Sequence, residues 1–146
     1  MLLRTIMIDV KNLMLGNFIK DKDGEIMLVG KIHRESVSDK WGKIAFDDEI
    51  DGIPMTIETL LAIGFTKIQD IRDYHYYRYW DKEGKYKLDV DYYFGNSEKK
   101  WHVHIDNDVC NTIGSGEFDY VHEFQNLTRI ITGFDLPITK DMLYNV

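Results

Sequence analysis

Between Lys85 and Phe94 apolar and polar residues alternate one for one: Tyr86, Leu88, Val90, Tyr92 and Phe94 against Lys85, Lys87, Asp89, Asp91 and Tyr93. A period of two places the first set on one face of a strand and the second on the other, which predicts a strand buried on one side and open on the other. Trp101, Val103 and Ile105 against His102, His104 and Asp106 repeat the pattern beyond Gly95 to Lys99, and Tyr74 to Trp80 precedes it across Asp81-Lys-Glu-Gly84. The three runs predict an antiparallel meander. Matching their apolar faces sets Asp91 opposite or diagonal to His104 and Asp89 near Asp106, and adds Tyr74, Tyr76, Arg78 and Trp80 to the polar side.

A different period governs residues 120 to 133. Tyr120, Val121, Phe124, Leu127, Thr128 and Ile131 recur at three- and four-residue steps, the mark of a helix that buries one face. Asp119 is placed to cap its start and Gly133 to end it, while His122, Gln125, Asn126 and Arg129 fall on the other face, suited to holding a ligand or satisfying buried backbone. Ile53-Pro54 favours an extended approach to a shorter helix, capped by Thr56, running through Ile57, Leu60 and Leu61 and stopping at Gly64 with Phe65 folded back. Near the start, Asp9 to Gly16 reads as a turn or helical lead-in. Asn17 to Lys20 and Glu25 to His33 flank Asp21-Lys-Asp-Gly24, a strong hairpin signal. Glu35 to Lys40 reads as polar loop and Gly42 to Phe46 as a third short strand, giving a small barrel-like region. The tail after Gly133, with Phe134, Leu136, Ile138, Met142, Leu143 and Tyr144, is apolar enough to pack on the body or on a second copy. The expected fold class is α+β: mainly antiparallel sheet, with one short middle helix and one C-terminal helix packed on it.

With 146 residues the chain fits one domain, residues 1 to 146, able to bury about two thirds of its unfolded surface without metal or disulfide staples. No internal repeat or linker is evident. The single cysteine, Cys110, has no partner in the chain and suits a reducing cytoplasm. Arg4 and Asp9 interrupt the apolar start before an export signal or membrane span could form. A net charge of -7 repels phosphate backbones, so direct nucleic-acid binding is not expected. Asp47, Asp48, Glu49 and Asp51 concentrate that charge, either as a solvated loop or as an acidic surface for a basic partner.

Two groups could carry chemistry. His102, His104 and Asp106 project together from one strand face and Asp91 from the next, a donor set suited to zinc, iron or manganese; cross-strand pairing is the plainer use of the same residues. They resemble the opening of the metallo-β-lactamase motif H-x-H-x-D-H, but position 107 is Asn. The second group, Tyr74, Tyr76, Arg78 and Trp80 with Tyr77 and Tyr79, combines rigid aromatic area with a cation, the composition of recognition hot spots. Ser36, Ser38, Ser97 and Ser115 lie in no nucleophile context, Gly114-Ser-Gly116 lacks the lysine of a phosphate loop, and no cofactor is called for.

Tyr120-Val-His-Glu-Phe-Gln-Asn-Leu-(x4)-Thr-Gly133 resembles the ending H-x-L-Q-N-L-Y-x-x-L-T-G of a family of small uncharacterised proteins of Bacteroides-type bacteria and their phages and mobile elements. Leu15-Gly-Asn-Phe-Ile-Lys20 is similar to that family's R-I-G-N-x-V, and Ile53-Pro-Met-Thr-Ile-Glu-Thr-Leu-Leu-Ala-Ile-Gly-Phe65 to its I-P-L-T-E-E-x-L-L-K-x-G-F. Phe124 and Thr128 depart from the family's leucine and aromatic. The resemblance carries no activity. It implies only a context, the cytoplasm of a bacterial host; taken with the residues above, the expectation is a non-enzymatic accessory protein that binds a protein partner or a second copy of itself through the aromatic sheet face or the segment Asp47 to Asp51. Two alternatives stand beside it: a counter-defence protein that takes up a signal molecule or blocks a host effector, suggested by the genomes such proteins inhabit, and, from the residues alone, a small metal-dependent hydrolase using His102, His104, Asp106 and Asp91.

Overall fold

The computed structural model describes residues 8–71, 74–93 and 101–144. Its largest unit is a five-stranded antiparallel sheet in which every strand pairs with the next in sequence: β6 (Thr66–Ile71), β7 (Tyr74–Trp80), β8 (Tyr86–Tyr93), β9 (Trp101–Asn107) and β10 (Gly114–Phe118). The strands numbered β1 to β5 precede it. The expected meander is its centre. Leu88 lies opposite Ile105 and Val90 opposite Val103, and all four are fully buried. Phe94, the turn Gly95 to Lys99 and Lys100 lie outside the described residues. The β7–β8 turn works as its composition requires: Asp81 Oδ1 accepts from Tyr86 N at 2.8 Å and Gly84 takes φ 71°.

The outer strands β6 and β10 extend the sheet beyond the expected three. β10 hides in sequence because it is Gly-Ser-Gly-Glu-Phe, a poor strand former. Its glycines are there for the helix above. A Cβ on Gly114 would stand 2.6 Å from Ile131 Cδ1, and one on Gly116 2.8 Å from Leu127 Cδ2.

That helix, α2, spans Val121–Thr132. Phe124 stacks on Phe118 of β10 with ring centroids 4.5 Å apart and 7° between planes, and Phe65 packs at 5.9 Å. Its start differs from expectation. Tyr120, not Asp119, is the capping residue, and Glu123 reaches back to accept from Asp119 N at 3.0 Å and Tyr120 N at 3.1 Å. A glutamate one turn in satisfies the free N–H groups, while the carbonyl of Asp119 is taken by Met55 N at 2.9 Å. The shorter helix α1 (Ile57–Ile63) follows its signals: Thr56 accepts from Thr59 N, and Gly64 ends it.

The polar side of α2 is largely turned to the rest of the chain, with His122 and Gln125 buried and Asn126 and Arg129 partly exposed. Gln125 Oε1 accepts from Phe18 N and its Nε2 donates to Gly16 O, both at 3.0 Å. Asn126 accepts from Asn17 Nδ2 at 2.8 Å and donates to Asn12 O at 3.1 Å, and Arg129 donates to Leu15 O and pairs with Asp135. His122 is buried with its Nδ1 unpartnered, and burial holds its imidazole below the ordinary pKa, with Glu123 opposing more weakly. The unfolded chain therefore binds a proton that the folded chain refuses, so stability is lost as pH falls through about 6.5. His102 adds a shift of the same sign. His122→Gln is expected to flatten, not abolish, the fall in urea-unfolding free energy between about pH 7 and 5; an unaltered slope would exclude His122 as its source.

The N-terminal third departs most from expectation. The expected hairpin around Asp21 to Gly24 forms, from β1 (Phe18–Lys20) and β2 (Ile26–Leu28), but no small barrel closes on it: β3 (Lys31–Ile32), β4 (Ser36–Ser38) and β5 (Ile44–Phe46) make a separate three-stranded sheet. The single run Glu25 to His33 is broken because Val29 N donates to Asn17 O and Gly30 N to Ser38 O, which hands the chain from one sheet to the other. Glu35 to Lys40 is no loop: Val37 is fully buried at the centre of β4 among Ile19, Val29 and Ile50. Three residues are too few for alternation to announce a strand. Asp-Lys-x-Gly recurs at Asp21 to Gly24, Asp39 to Gly42 and Asp81 to Gly84. At the first two the aspartate accepts from backbone N–H groups two and four residues on, at 2.9 to 3.0 Å. The tail packs on the body, with Leu136 and Leu143 buried and α3 (Lys140–Tyr144) set against α1 and β2.

Candidate functional site

Because α2 occupies the face of Leu88, Val90, Val103 and Ile105, the side chains between them are directed to the other face of the sheet. Tyr74, Tyr76, Arg78 and Trp80 of β7 lie across from Tyr93, Asp91, Asp89 and Lys87 of β8, and Asp91, Asp89 and Lys87 in turn across from His102, His104 and Asp106 of β9. The expected diagonals hold: Asp91 is one step from His104, and Asp89 from Asp106. Ser115 and Glu117 of β10 continue the rows opposite His104 and His102.

Charges on this face are paired in order. Arg78 Nε donates to Asp89 Oδ1 at 2.8 Å and its Nη2 to the Tyr76 hydroxyl at 2.6 Å. The bond to Asp89 raises the Arg78 pKa above its ordinary value, and burial, with Asp89 second, pushes the Tyr76 hydroxyl up to about 12. Lys87 sits between two carboxylates, 3.6 Å from Asp89 and 3.1 Å from Asp106. Burial pushes the Asp106 carboxyl up, but the Thr112 N–H and Lys87 outweigh it and hold it low.

Asp91, His102 and His104 stand apart from that network. One donor atom from each lies within 4.8 Å of the other two, and the imidazole centroids are 4.3 Å apart at 69°. Burial raises the Asp91 carboxyl, opposed by both imidazoles and reinforced by Asp89. Burial also lowers the His102 imidazole, aided by His104 and opposed by Asp91 and Glu117. Asp106, named with the histidines from sequence, is turned to Lys87 and Thr112.

Of the aromatic group, Tyr74, Tyr76 and Arg78 are half-buried and Trp80 is 56% exposed, whereas Tyr77 is buried in the core and Tyr79 packs beneath the sheet on Phe65 at 5.1 Å. The acidic run is elsewhere: Asp47–Glu49 form a 3₁₀ turn after β5, and Asp51 exchanges backbone hydrogen bonds with Lys20. Cys110 is exposed. Sequence reasoning passed over Trp41, 79% exposed at the β4–β5 turn beside a groove of about 360 Å³ bordered by Phe18, Met27, Leu28 and Ile138. Its Asp-Lys-x-Gly setting, the same as in both hairpins, was the signal for a projecting turn.

No protein-family model matches the sequence, and no curated protein or solved structure matches it either.

Proposed function

We propose that this chain is a non-enzymatic binding protein, of phage or mobile-element descent, that works in the cytoplasm of a bacterial host by holding another protein or a second copy of itself against the open face of its five-stranded sheet. One observation carries this reading: α2 packs on only one face, and the other presents Tyr74, Tyr76, Arg78, Trp80, His102 and His104 in adjoining rows. Such rows suit a protein surface. Tyrosine and tryptophan supply contact area at low conformational cost, and Arg78 is already oriented by Asp89, so little freedom is lost when a partner docks. The descent rests on the resemblance of the three quoted segments, and the net charge of -7 argues against nucleic acid as the partner.

Trp80→Ala and Tyr74→Ala test it. Trp80 stands at the surface, so its removal should change unfolding free energy by no more than about 0.5 kcal/mol, while half-buried Tyr74, whose ring packs on Tyr93 at 5.3 Å, should cost about 1 kcal/mol, too little to unfold the chain. Loss of a central aromatic anchor should weaken the complex by about 2 kcal/mol, roughly 30-fold, read as lost capture from host lysate or as dissociation of a self-complex in sedimentation. Full retention of both complexes by the double variant would refute the assignment to this face.

A further inference from the structure

We propose that Asp91, His102 and His104 form a site for one divalent transition-metal ion, zinc foremost. The case begins with charge. Of the aspartates that β8 and β9 direct to the open face, Asp89 is met by Arg78 and Lys87, and Asp106 by Lys87. Among the described residues Asp91 has no such cation, although it is only 9% exposed; what faces it is a pair of imidazoles. A carboxylate so shielded from water is stabilised by a cation placed between it and those rings.

Geometry and donor chemistry agree on which cation. Asp91 is directly opposite His102 in the β8–β9 ladder and diagonal to His104, so three donors converge from two strands whose backbones are pinned by their neighbours. Their donor atoms lie within 4.8 Å of one another, an upper bound to set beside the about 3.3 Å between ligands of a tetrahedral ion bound at about 2.0 Å. Drawing them onto one ion would call for side-chain rotation on a fixed ladder, not for movement of the strands. Two imidazoles and one carboxylate suit zinc and its neighbours in the transition series, not calcium or magnesium, which take oxygen donors. A neutral imidazole is the ligand form. With three protein donors, a tetrahedral ion would have its fourth position free for water or for a group brought by a partner.

The test uses the full chain without a histidine tag, stripped with chelator and titrated with zinc chloride by calorimetry and with cobalt chloride by visible absorption. The expected result is saturable binding of one ion per chain and a cobalt spectrum of tetrahedral intensity. His102→Ala, His104→Ala and Asp91→Asn should each weaken zinc at least tenfold, in line with the sensitivity of such sites, while Asp106→Asn, beside the site but bound to Lys87, should leave affinity unchanged. Absence of saturable binding in the unsubstituted chain would overturn the proposal without recourse to any variant. So would undiminished affinity in the folded His102→Ala/His104→Ala double variant, which would hand the ion to His33, His75 or His122. The site shares His102 and His104 with the proposed recognition face but does not rest on that reading, since capture of a partner through Trp80 and Tyr74 is read separately and either can fail alone.

Discussion

Phe124→Ala will cost this fold about 3 to 5 kcal/mol, the range for removing a fully buried phenylalanine from a packed core. The ring has no exposed surface and stacks on Phe118, which is equally buried, so truncation leaves a void bounded by β10, Phe65 and the rest of α2. Neighbouring side chains cannot easily relax into it, because Gly114 and Gly116 already let the helix lie as close to the strand as Leu127 and Ile131 permit. At this chain length the loss corresponds to a fall in Tm of roughly 10 to 15 °C. Phe124→Leu, which keeps most of the volume, should recover more than half of it. Denaturation of the two variants by urea with unchanged m-values decides the matter, and a loss below about 1 kcal/mol for the alanine variant would mean that α2 does not rest on the sheet through this ring.

Gln125→Ala is expected to cost about 2 kcal/mol or more through polar chemistry alone. It strips an acceptor from the buried N–H of Phe18 and a donor from the carbonyl of Gly16, each a group whose unmet hydrogen bond costs about 1 to 3 kcal/mol. Gln125→Glu separates the two contributions, since a carboxylate still accepts from Phe18 N but turns a charged oxygen toward Gly16 O. It should remain less stable than the native chain at neutral pH and recover as acid protonates the carboxyl and restores a donor. Equal stability of glutamine and glutamate at neutral pH would show that the contact with Gly16 contributes nothing.

Legibility from sequence followed the length and regularity of each pattern. Residues 85 to 94 and 101 to 106 alternate long enough that the face, the partner strand and even the diagonal of Asp91 and His104 could be read, because a strand has only one period and matching the two apolar faces restricts the register to even steps. α2 could be read for the same reason, and the structural use of Gln125 and Asn126 was among its foreseen roles. β4 and β10 could not. One is three residues long, and the other sacrifices strand propensity so that α2 can approach it, a tertiary demand with no local trace. At the candidate site, sequence placed His102, His104, Asp91 and Asp106 on one face but could not tell which acids were already engaged. That choice depends on the reach of Arg78 and Lys87, and several neighbours on a sheet face lie within reach of a long side chain.

In the five-stranded sheet, the order of strands in space is their order along the chain. Strands in this order can pair through one short closure after another, the kind of contact expected to form fast. The bonds from α2 back to Gly16 and Phe18 bridge more than a hundred residues and so are expected to close late. Gln125 thus acts as the latch of the molecule: its loss should accelerate unfolding while leaving the refolding rate nearly unchanged.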